Sequence, residues 1–165
     1  MTAPIGILLG DANPLVLSAL SEIIERDSRF SLVATSATAE GFLGTAMRLP
    51  VEIGVIDWAL PALGGAKLLD VLRDQADAPR IVVYGEETGD LPRLAMSSGA
   101  AAFAAHSSSP EALLDICADV AAGKMVFPFL DVRKLQADPI DTLSKRERAM
   151  LEALSTGLTN KELSK

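Results

Sequence analysis

From residue 4 to residue 122, short aliphatic runs alternate with longer stretches in which apolar positions recur at helical spacing. The short runs fit strands and the longer stretches fit amphipathic helices. Strands are expected over 4–10 (PIGILLG), 30–35 (FSLVAT), 51–56 (VEIGVI), 80–84 (RIVVY) and 101–105 (AAFAA). In the first intervening stretch, "PLVLSALSEIIERD", Asn13 stands at the N-cap and Pro14 at the first helical position, where a missing N–H is no loss; Leu17, Leu20 and Ile24 share one face. A second helix over 38–48 stops before Pro50, and a third over 65–75 turns Leu68, Leu69 and Leu72 inward. A fifth opens at Ser109-Pro110-Glu111 and runs to Gly123 with Leu113, Ile116 and Val120 facing in. The fourth, around 89–98, requires Pro92 to lie in its first turn. Strands alternating with helices predict an α/β domain over 1–122, a parallel sheet covered on both faces.

The pattern changes after this point. Residues 123–140, "GKMVFPFLDVRKLQADPI", carry two prolines and no clean period, and read as a linker with a hydrophobic patch. Ser144-Lys145-Arg146-Glu147 is a capping box that opens a helix with Met150, Leu151 and Leu154 inside. Gly157 stops it, and Thr159-Asn160-Lys161-Glu162 is a second capping box. Residues 141–165 therefore read as the start of an all-α unit, begun but not finished at Lys165.

Composition narrows the function classes. A chain of 165 residues that is 49% hydrophobic supports one buried core with length left over. The net charge of −7 is uneven: residues 1–140 hold 10 Lys+Arg against 18 Asp+Glu, and residues 141–165 hold 5 against 4. An acidic body repels a polyanion, which confines any nucleic-acid contact to the tail or to chain beyond it. One cysteine, Cys117, and one histidine exclude an internal disulfide and argue against a metal site of nitrogen and sulfur ligands. Cys117, between Ile116 and Ala118, reads as inert core in a reduced, cytoplasmic protein. The N-terminus "MTAPIGILLGDAN" lacks a basic region and is broken by Asp11, and no long apolar run occurs, so neither an export signal nor a membrane contact is expected.

In an open parallel sheet, chemistry collects beyond the carboxyl ends of the strands. Strand one delivers Asp11 and then Ala12, strand three Asp57 with Ala59 two further on, strand four Gly85, and strand five His106. The segments "ILLGDANP", "VIDWALPALGG", "RIVVYG" and "SGAAAFAAHSSSPEAL", in this order, resemble the receiver domain of two-component response regulators. "LSKRERAMLEALSTGLTNKELSK" resembles the opening of the LuxR-type helix-turn-helix of the NarL/FixJ branch. The resemblance implies a flavodoxin-like (CheY-like) fold, a five-stranded parallel sheet of order 2-1-3-4-5, followed by the start of a helix-turn-helix domain. It puts Asp57 at the phosphoacceptor position, Asp11, Asp57 and Ala59 at the metal positions, Pro61 and Gly65 in the turn after the acceptor, and Phe103 at the switch aromatic. It further implies a non-enzymatic transcription factor whose receiver controls dimerisation and a C-terminal DNA-binding domain. The expected partners are a second copy, a histidine kinase or other regulatory protein, and DNA through the full-length C-terminal domain. The helix that would read bases is absent from 141–165, so the piece in hand is expected to be truncated and not to bind an operator.

Phosphoryl transfer to a carboxylate needs a divalent cation on oxygen ligands, with a hydroxyl and an ammonium to hold the phosphoryl oxygens. Against the family pattern, Ala12 replaces the second acid after strand one, Gly85 stands where a Ser or Thr is expected, and His106 stands where a lysine belongs. Each missing charge-assisted hydrogen bond costs about 1.5–3 kcal/mol. The expectation is a degenerate receiver, weakly phosphorylated or independent of phosphorylation, with no required cofactor and Mg²⁺ at most weakly held. Plainer readings stand beside these: Asp57 as a solvated strand end, Asp11 as a cap, His106 as a loop histidine, Trp58 as a partner anchor or as packing over the pocket, and Lys145, Arg146 and Arg148 as a solvated helix start. Two other functions stay open. One is a stand-alone pseudo-receiver that binds a protein partner without DNA, and the other a flavodoxin-like cofactor binder, disfavoured because "GDANP" lacks an amide cradle for phosphate.

Overall fold

Residues 3–127 other than 62 and 88 are described by a computed structural model of the chain. Most of the 123–140 linker, both capping boxes and the whole of 141–165 lie outside the described residues. Five strands, β1 (Ile5–Gly10), β2 (Phe30–Ser36), β3 (Ile53–Asp57), β4 (Arg80–Gly85) and β5 (Ala102–Ala105), form one sheet in the order β2-β1-β3-β4-β5. Every neighbouring pair is parallel. This is the order that the resemblance implies.

The helices α1 (Pro14–Arg26), α2 (Ala39–Arg48), α3 (Gly64–Arg73), α4 (Leu91–Ser97) and α5 (Pro110–Ala121) fall where the periodicity puts them. Their starts follow from capping. The Asn13, Thr38 and Ser109 side chains accept from the N–H groups of Leu15, Gly41 and Ala112 at 2.9, 3.1 and 3.1 Å, which satisfies donors that have no partner inside the helix. Pro92 does sit in the first turn of α4, where its missing N–H breaks no helical bond.

Strand alternation sends side chains to two separate cores. Ile7, Leu9, Ile53, Val55 and Val82 pack with Ile24 of α1 and with Leu113, Leu114, Cys117 and Val120 of α5. On the other face Leu8, Ile56, Val83 and Phe103 pack with Phe42 of α2 and with Leu68, Leu69 and Leu72 of α3. Gly54 faces this second core, and a Cβ there would stand 2.6 Å from Ile81 Cδ1 and 2.7 Å from Phe42 Cζ, so only a glycine lets the Phe42 ring close on the sheet. Cys117 is fully buried and its thiol is pushed up to about 12 by burial, in keeping with an inert core position.

The outer edge of β5 is not left bare. The Phe103 N–H donates to the Val126 carbonyl at 3.0 Å and the Val126 N–H to the Ala101 carbonyl at 3.1 Å, a single parallel bridge from a segment without strand periodicity. Arg29 ties the start of β2 to α5 through Asp27 at 2.7 Å and Asp115 at 3.0 Å. No helix among the described residues is long and apolar enough to cross a membrane.

Candidate functional site

The carboxyl ends of β1, β3, β4 and β5 meet at one cavity of about 470 Å³, whose polar lining includes Asp11, Asp57, Tyr84, His106, Ser108 and Ser109. Asp11 leaves β1 and is only 3% exposed. Its Oδ1 accepts the Asn13 N–H at 2.7 Å, and its Oδ2 accepts the Tyr84 hydroxyl. Asp11 thus holds the turn into α1 with one oxygen and a phenol with the other. Ala12 beside it is exposed and offers no side-chain ligand.

Asp57 ends β3 with its side chain 20% exposed. Its Oδ1 accepts the Ala59 N–H at 3.0 Å and lies 3.8 Å from His106 Nε2. That separation is too long for a hydrogen bond and close enough for an ion pair when the imidazole is protonated. His106 follows β5, is anchored by its N–H to the Gly85 carbonyl at 2.8 Å, and has its ring centroid 5.4 Å from that of Tyr84. The structure therefore brings Asp11, Asp57 and His106 together. Ala59 contributes a backbone N–H to Asp57 and lies outside the cavity lining.

Gly85 requires a correction. It was expected to occupy the hydroxyl position, but in the β3–β4 register Asp57 is the partner of Tyr84. Paired residues in a ladder point to the same face, so Tyr84 stands beside Asp57 and Gly85 faces the opposite core. A Cβ on Gly85 would meet Leu91 Cδ2 at 2.9 Å and Phe103 Cε2 at 3.6 Å. The position next to the acid is not an empty glycine; a tyrosine fills it. Tyr84 is the cavity residue that the motifs do not announce, because the β3–β4 register, which pairs it with Asp57, is not written in the spacing of either strand. Burial raises its pKa well above the usual tyrosine range, with the hydrogen bond to Asp11 and the charges of Asp11 and Asp57 adding to the shift, so the phenol stays neutral and donates.

Phe103 is fully buried on the α2–α3–α4 face. Trp58 packs on that face too, over the start of α3. The Gly65 N–H donates to the Trp58 carbonyl at 3.0 Å, and a Cβ on Gly65 would lie 2.6 Å from the indole Cε3. The indole is half-buried, packs against α3 and does not line the cavity. Pro61 accepts the Ala39 N–H on its carbonyl at 3.0 Å and so ties this loop to α2.

Magnesium demands near-octahedral oxygen coordination. Each oxygen of Asp11 already accepts one hydrogen bond, Ala12 offers no side-chain oxygen, and no group of three or more His, Cys, Asp or Glu among the described residues is placed to hold a metal. A magnesium ion here would have Asp11 and Asp57 as its side-chain carboxylates among the described lining residues, without the acid that Ala12 replaces.

No family model matches the chain. It is 35% identical over 164 residues to a probable transcriptional regulatory protein, SgaR, of Hyphomicrobium methylovorum, covering 99% of this chain and 78% of that protein. It is 27% identical over 173 residues to the nitrate/nitrite response regulator NarL of Escherichia coli K12, covering 98% and 80% of the two chains. Among solved structures it superposes on a LuxR-family two-component response regulator from an Aurantimonas species with a TM-score of 0.70 and 27% identity, covering 76% of this chain and 91% of that one.

Proposed function

Because this chain belongs to the NarL/LuxR family of response regulators, we propose that it regulates transcription through a receiver whose output does not depend on an acyl phosphate at Asp57. The observation that carries this reading is the bond from the buried Tyr84 hydroxyl to Asp11. A magnesium-dependent acceptor needs its first carboxylate available to the cation and a small hydroxyl free to turn toward the phosphoryl group. Here the carboxylate is occupied by a phenol that brings bulk as well as a donor. His106 replaces an ammonium with a shorter, titratable ring 3.8 Å from the acceptor. In this reading the complete protein forms a homodimer, binds DNA through its C-terminal domain, and needs no phosphate from a histidine kinase to do so.

The test uses Trp58, the one tryptophan of the chain, which follows Asp57 directly. Titration with beryllofluoride at millimolar magnesium leaves its fluorescence without a saturable change. An Ala12→Asp/Tyr84→Thr/His106→Lys variant, which supplies the missing acid, the small hydroxyl and the ammonium, gains one. Saturable, stoichiometric binding by the natural sequence would overturn the reading.

A further inference from the structure

We propose that the cavity beside Asp57 binds a small organic monocation with an apolar body. The proposal deepens the reading above and rests on it, since a pocket that cycled a phosphoryl group would have to stay clear of such a ligand. The volume of about 470 Å³ lies within the range of about 300–1,000 Å³ typical of small-molecule sites. The cavity walls include two short side chains, Ala19 of α1 and Ala104 of β5, beside Val16, Leu20 and Leu113. A lining that combines aliphatic side chains with two carboxylates suits a ligand with an apolar body and one polar head.

The sign of the head follows from the charges. Asp11 and Asp57 both line the cavity, and among the described residues no lysine or arginine does, so that His106 is the one basic group of the described lining. An anion entering here meets two carboxylates and, among the described lining residues, no permanent cation. The N-termini of α1 and α5 would otherwise attract an anion. One first-turn donor at each is already taken by its own cap, Asn13 onto the Leu15 N–H and Ser109 onto the Ala112 N–H. A cation meets the opposite situation. A carboxylate has about four acceptor sites, and the Ala59 N–H takes one on Asp57. An ammonium can therefore bond Asp57 while its hydrocarbon part lies against Leu20 and Leu113. Such a ligand takes up the position beside Asp57 that His106 holds at 3.8 Å, so binding displaces or reorients the imidazole.

The probe is benzylamine, with benzyl alcohol and benzoate as neutral and anionic partners of the same shape, followed by amide NMR shifts in the full chain. The expected result is saturable shifts clustered on residues 104–109, with benzylamine favoured at least tenfold over both analogues. Asp57→Asn abolishes that preference, and Ala19→Leu, a change on the exposed part of α1 that projects into the void, abolishes binding while the remaining amides keep their positions. Equal shifts from all three compounds, or none from benzylamine, overturn the cation site. Beryllofluoride with magnesium is run on the same samples. A saturable response to it overturns the phosphate-independent reading whatever benzylamine does, whereas failure of benzylamine beside a silent beryllofluoride titration overturns the cation site alone.

Discussion

Tyr84 shows how one side chain alters the chemistry of a strand end. Its hydroxyl is the donor to Asp11 Oδ2, in a site where Asp11 is almost completely buried. Tyr84→Phe removes that donor and leaves a buried carboxylate oxygen short of a partner, a loss of about 1–3 kcal/mol. Urea unfolding at neutral pH measures it. The pH dependence has a definite sign. The folded pKa is raised above the usual value of about 10. The unfolded chain therefore loses the proton first, and the stabilisation is complete below about pH 10 and is lost as pH rises beyond it. Since Tyr84 is the one tyrosine, phenolate absorbance should appear only as the protein unfolds in alkali, and Tyr84→Phe should flatten the alkaline limb of stability. Phenolate appearing at about pH 10 in folded protein would contradict this. The acid itself was legible, because a β-branched run followed by Asp57 and, four residues on, by Pro61 reads as a strand end. Tyr84 was not, because its importance lies in which face of β4 it takes, and a motif read by spacing from Gly85 is one residue out of phase.

At the level of elements, caps and periodicity carried most of the information. Asn13 with Pro14 and Ser109 with Pro110 start α1 and α5 as local chemistry dictates, and Leu68, Leu69 and Leu72 are buried as their spacing requires. The edge bridge at Val126 was not legible, since one main-chain pairing leaves no hydrophobic period behind. Sheet-to-helix fit was equally hidden. Nothing beside Gly54 in the sequence announces that the Phe42 ring will lie on it, yet a methyl there would meet side-chain atoms at 2.6 and 2.7 Å. Gly54→Ala is expected to destabilise the fold by about 1–3 kcal/mol through overpacking. A paired Gly54→Ala/Phe42→Leu variant should recover part of the loss, and additivity of the two changes in denaturant titrations would show that they do not meet.

For the whole molecule, the doubly covered parallel sheet follows from alternation alone, and its order from the family to which the chain belongs. What the site does with that architecture depends on the group opposite Asp57, and relatives share architecture more readily than such details. The prediction at this scale concerns output. In the complete protein, operator affinity measured by fluorescence anisotropy should be unchanged when acetyl phosphate and magnesium are added, and a tenfold gain would count against the proposed control. The acidic character of residues 1–140 predicts in addition that contacts to DNA phosphates come from the other end of the polypeptide.

Val126 is hydrogen-bonded to the rim of β5, and β5 is also the strand that presents His106. One short strand therefore carries His106 at its end and the backbone of Val126 along its flank. A displacement of β5 that moved the imidazole would also strain the two main-chain bonds to Val126.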